Sequence, residues 1–116
     1  MSRKLISLTA AATFTGCTDM ADVPNVAADI ATVHSLVARV MLGVGTPKLI
    51  IQQGASPHEY NLRPSKAKAL QDANLVFWMG EGLTPWMENA LETLANNAEI
   101  TTLLEQEKTA LLDFRE

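Results

Sequence analysis

Along this chain, short continuous apolar runs alternate with longer segments whose apolar positions recur every three or four residues. Val33, Leu36, Val37, Val40, Met41 and Val44 fall at i, i+3, i+4, i+7, i+8 and i+11, the spacing of a helix with one apolar face. Gly43 and Gly45 end that helix, and Pro47 prevents its resumption. Upstream, Asn25 to Ala31 reads as a short strand, apolar around Asp29. Downstream, Lys48-Leu-Ile-Ile-Gln52 suits a strand buried on both faces. Pro64 suits the first position of a second helix, where its missing N–H costs nothing. Ala67, Leu70 and Ala73 supply that helix's buried side, with Lys66, Lys68, Gln71 and Asp72 mostly outside. Leu75 to Met79 is a third strand, again a continuous apolar run. Gly80-Glu-Gly82 turns the chain, Thr84 caps a third helix and Pro85 takes its first position. Met87, Ala90, Leu91 and Leu94 form that helix's apolar stripe, Asn96-Asn97 breaks it, and Glu99 to Leu104 reads as a fourth strand.

Strands alternating with helices predict an α/β fold: a single three-layer lobe, with a parallel sheet of about four strands between helices joined by right-handed crossovers. At 116 residues the chain is one domain at most. A formal net charge of −4 with no basic patch disfavours nucleic acid as a partner. The single cysteine, Cys17, excludes an internal disulfide framework. The amino terminus changes the picture further. Arg3 and Lys4 precede an apolar or small stretch, Leu5 to Phe14, and then Thr15-Gly16-Cys17 and polar residues, the order of a secretory signal peptide. Residues 1–21 are therefore expected to be a leader and residues 22–116 the exported, mature lobe. Phe14-Thr-Gly-Cys17 has the form of a lipoprotein box with Cys17 as a candidate lipid anchor. Ordinary cleavage between Gly16 and Ala21 is the alternative.

Strand-to-helix loops of a parallel sheet emerge at one edge, where such folds hold their ligands. Here these are Ala31 to His34, Gln52 to Arg63 and Gly80 to Thr84, and they gather His34, His58, Glu59, Tyr60, Arg63 and Glu81. His58 is the best candidate for direct chemistry, because neutral imidazole is the commonest protein ligand for transition metals. Pro57 stiffens its approach, and Gly54 allows a tight turn after the strand. The competing reading is an exposed loop histidine with no task. His34 could be a ligand, a donor behind one, or a plain capping residue. Glu59, Tyr60 and Glu81 could add oxygen contacts, and Arg63 is expected to tie the loop to a carboxylate or carbonyl. Trp78 is most simply core, whereas Trp86 could pack or line a cleft. Catalytic motifs fail: there is no Walker loop, no nucleophile elbow and no dinucleotide fingerprint in the right context.

Four segments carry a family resemblance: Asp22 to Val26, Val33 to Val37, Gly54-Ala-Ser-Pro-His-Glu-Tyr-Asn-Leu-Arg-Pro-Ser65 and Ala69 to Trp78. Gly80-Glu-Gly-Leu-Thr-Pro-Trp86 and Leu111 to Glu116 continue it. Together they resemble the amino-terminal lobe of the ZnuA-like family, the periplasmic zinc-binding (solute-binding) proteins of high-affinity zinc uptake ABC transporters. The resemblance implies a bilobed metal-binding fold with zinc as cargo between the lobes, an inner-membrane ABC zinc permease as partner, a periplasmic location and no enzymatic activity. It makes His58 the first zinc-ligating histidine, while His34 matches no usual ligand. It also implies a truncated member with an incomplete site. The histidine-rich loop, the other ligands, the linking helix and the second lobe would all follow Glu116, and the uncovered surface would favour self-association. The alternatives are a manganese- or iron-binding protein of the same transporter group, and a fragment of an α/β enzyme.

Overall fold

The computed structural model describes residues 22–115, so the expected leader, with Cys17 and its lipoprotein box, lies outside the described residues. Strands β1 (Val26–Ala28), β2 (Lys48–Leu49), β3 (Leu75–Trp78) and β4 (Glu99–Thr102) alternate with helices α1 (Ala31–Val40), α2 (Pro64–Asp72) and α3 (Pro85–Leu94). A 3₁₀ turn, Leu103–Glu105, follows β4. All pairings are parallel and the sheet order is β2-β1-β3-β4. The register sets Ala27 beside Lys48 on one side and beside Val76 on the other, and Val76 beside Ile100. The short β2 is continued by two further ladder bonds, Ile50 N–H to the Ala28 carbonyl (2.9 Å) and Ile51 N–H to the Asp29 carbonyl (2.8 Å). The α/β lobe expected from the alternation is the one observed.

Because side chains alternate across a strand, the sheet has two distinct apolar faces. Ala27, Val76 and Trp78 face one side and form the main core with Ile50, Ile51, Leu70, Met87 and Leu91 from the flanking elements. The other face carries Val26, Leu75 and Phe77, and α1 lies against it through Val33 and Met41. Right-handed crossovers explain this division. The chain moves from β1 to β2 in one direction and from β2 to β3 to β4 in the other, which sends α1 to one face and α2 and α3 to the opposite one. The strand order therefore reverses between β1 and β3, making a switch point at their carboxyl ends.

Several boundaries differ from the sequence reading. Helix α1 begins at Ala31, so His34 lies inside the helix and only Asp29 and Ile30 separate it from β1. The six-residue apolar stripe of that helix is only partly used: Val33 and Met41 are buried, but Leu36 is 63% exposed and Val40 86%. They border a groove of about 390 Å³ between α1 and the sheet, lined also by Val26, Leu75, Phe77 and Leu103. Gly43, at φ +82°, lets the chain reverse after α1, where a side chain would be strained. Thr84 does not cap α3 with its hydroxyl, which instead turns back to the Gly80 carbonyl at 3.4 Å. The fourth strand stops at Thr102, two residues short of the expected end, because Leu103 starts the 3₁₀ turn.

Candidate metal centre

The loop from Gln52 to Arg63 leaves the sheet beyond β2 and feeds α2. Its entry is a turn in which Ala55 N–H bonds the Gln52 carbonyl at 3.0 Å. Gly54 occupies φ +87° in that turn, a conformation costly for any residue with a Cβ. At the far end Pro64 opens α2, and the Arg63 carbonyl accepts Lys66 N–H and Ala67 N–H, both at 2.9 Å. Lys66 is drawn inward rather than left outside. It is half-buried, and its Nζ donates to the Leu49 carbonyl at 2.6 Å, tying α2 to the end of β2.

Between those ends, one aromatic side chain holds the loop. The Trp86 indole Nε1–H, in the first turn of α3, donates to the Pro57 carbonyl at 2.7 Å. The Tyr60 ring lies 5.7 Å from the Trp86 ring at an interplanar angle of 38°, a tilted aromatic pair. Both rings pack against the main core. His58, between Pro57 and Tyr60, is exposed, as are Glu59 and Glu81. The Tyr60 hydroxyl is buried and finds no hydrogen-bond partner among the described residues.

The other expected site residues divide clearly. One imidazole nitrogen of His34, Nε2, lies 3.0 Å from the Pro47 carbonyl, so this half-buried ring joins α1 to the segment entering β2. That is a structural task, but not the capping role expected: α1 begins at Ala31, and the ring reaches Pro47 rather than the helix's own first turn. The Arg63 side chain is exposed and makes no ion pair or hydrogen bond among the described residues, contrary to expectation. Trp78 is core, with its indole N–H donating to the Thr102 hydroxyl at 2.8 Å. Among the described residues no three His, Cys, Asp or Glu side chains converge as a metal cage. His58 is thus a single exposed imidazole on a braced loop, suited to give a metal one nitrogen and to leave the remaining positions to other donors.

Sequence reasoning missed Asp29. It is fully buried at the end of β1, inside the switch point. Its two carboxylate oxygens accept Ile30 N–H at 2.7 Å and Met79 N–H at 2.8 Å, bridging the loops that follow β1 and β3. Burial pushes its pKa up, opposed by the backbone N–H groups it accepts. The available signal was a lone carboxylate inside an apolar strand run, which is rarely left without a partner.

The family described as "Zinc-uptake complex component A periplasmic" matches residues 26–113. The chain belongs to this family. A high-affinity zinc uptake system protein ZnuA from Paracoccus denitrificans (strain Pd 1222) is 44% identical over 94 residues, covering 81% of this chain and 29% of the relative. Among solved structures, the Zn(II)-bound ZnuA-like domain of Streptococcus pneumoniae AdcA superposes with a TM-score of 0.63 at 22% identity, covering 77% of this chain and 33% of that one. A Mn-bound periplasmic metal binding protein from Candidatus Liberibacter asiaticus gives 0.65 at 16% identity, covering 73% and 32%. The two structures share the fold with this ZnuA-family lobe, and the chain spans about 29% of the length of the Paracoccus relative.

Proposed function

We propose that this chain carries the amino-terminal share of a zinc-capture site, with His58 as its metal ligand and zinc as cargo handed to an inner-membrane ABC permease. The observation that carries the reading is the family match over residues 26–113, which contains the braced His58 loop at the carboxyl edge of the sheet. An imidazole suits zinc, and binding would replace water on the ion with the ring nitrogen. One imidazole is a partial coordination sphere, so capture requires donors beyond those that the described residues bring together. The reading places the mature chain in the periplasm, with residues 1–21 as leader and Cys17 as the point of a lipid anchor if the box is used.

Zinc titration by calorimetry tests the site. The chain is expected to bind zinc weakly, at about millimolar Kd or about −4 kcal/mol, because one imidazole leaves the rest of the coordination sphere to water. His58→Ala should remove the binding heat. Unchanged heat in that variant would reject His58 as the ligand. Parallel titration with manganese addresses metal choice, and nitrogen donors predict the weaker response for manganese.

A further inference from the structure

We propose that Trp86 is a positioning residue for the His58 imidazole, acting through the Pro57–His58 peptide. The inference rests on the reading of His58 as a zinc ligand. The Pro57 ring fixes its own φ. The Trp86 indole N–H, 2.7 Å from the Pro57 carbonyl, holds the plane of the following peptide group. That plane contains the nitrogen of His58. The direction in which His58 leaves the backbone is therefore set from α3, an element separated from it by the whole of α2 and β3. Tyr60, two residues further on, pairs with the same indole in a tilted arrangement, ring centroids 5.7 Å apart. The loop is thus clasped on both sides of an exposed histidine by one side chain that is itself seated on the core. A ligand on an unbraced loop must be ordered at the moment of binding, whereas a braced one is ordered beforehand.

Trp86→Phe tests this role: it removes the donor and part of the ring system but keeps an aromatic ring against Tyr60 and the core, and amides of the sheet report any loss of packing. Tyr60→Phe is the control that keeps the clasp. Three measurements on the full chain decide the matter: thermal unfolding, ¹⁵N relaxation of the His58 amide without metal, and zinc titration. Trp86→Phe is expected to lower the His58 amide order parameter while amides of β1 and β3 stay unchanged, and to weaken zinc binding by up to about five- to tenfold, the most that ordering by one hydrogen bond contributes. In the unsubstituted chain the Trp86 indole resonance should move with zinc saturation and the Trp78 indole resonance should not. Unchanged His58 order and zinc affinity in Trp86→Phe, with binding still lost in His58→Ala, would overturn the positioning role and leave the ligand reading standing. Binding that survives His58→Ala, or no binding at millimolar zinc, would overturn the ligand reading and the proposal with it. A fall in order spread over the whole sheet would assign Trp86 to packing alone.

Discussion

Two buried polar groups near the carboxyl edge behave in opposite ways. Asp29 is fully buried and both its oxygens are used, whereas the Tyr60 hydroxyl is buried and finds no partner among the described residues. Replacing Asp29 by Asn keeps the shape but offers one acceptor where two backbone N–H groups need one each. The unpaired donor is expected to cost about 1–3 kcal/mol in urea unfolding. The pH dependence follows from the raised pKa of the folded state. Between the unfolded value near 3.8 and the folded value, the folded chain keeps a proton that the unfolded chain has released. The stability contributed by that proton is complete below the unfolded value and is lost as pH rises through the folded one. The gap between the native chain and Asp29→Asn should therefore narrow from about pH 4 towards neutrality. Tyr60→Phe has the reverse expectation. It removes a buried polar atom that has no partner among the described residues, so stability should hold or rise by up to about 1 kcal/mol. A loss of more than that would mean the hydroxyl has a partner.

At the scale of elements, the alternation of runs and stripes revealed the order, type and approximate bounds of every helix and strand, because binary pattern and the Gly and Pro punctuation agree along this chain. It did not reveal how far each apolar position would be covered. The stripe on α1 is as regular as the one on α3, yet Met87 and Leu91 of α3 are buried while Leu36 and Val40 of α1 face a groove. Periodicity reports which way a side chain points, and burial depends on what lies opposite. Opposite α3 are the sheet and α2. Opposite the outer part of α1 the sheet is set back across an open groove. Val40→Lys is accordingly expected to change stability by no more than about 0.5 kcal/mol, the range of surface substitutions. Leu70→Ala, on the fully covered face, should cost about 2–5 kcal/mol. Comparable losses for both would show that the α1 groove is filled in solution. The site was legible in the same uneven way. His58 stood out by residue type and loop position, but the indole bond from Trp86 joins residues 29 apart and has no periodic trace.

For the whole molecule, the question is whether metal holds the lobe together or only visits it. The core of Ile50, Leu70, Val76 and Met87 is closed by apolar contact between the sheet and two helices, and no metal ligand contributes to it. His58 lies outside that core, exposed on a loop that the indole and the Gly54 turn already order. Folding should therefore not wait for zinc, unlike small domains whose fold is made by their metal. A ligand that binds the folded chain stabilises it in proportion to its occupancy. At a zinc concentration equal to Kd the gain is about 0.4 kcal/mol, or about 2–3 °C in the unfolding midpoint of a domain this size. Excess chelator should leave the midpoint of the purified chain unchanged, and millimolar zinc should raise it by no more than those few degrees. The rise should vanish in His58→Ala. Unfolding by chelator alone would instead assign the metal a structural role. Such a result would require ligands the apolar core does not supply and would move the site away from a cargo position at the edge of the sheet.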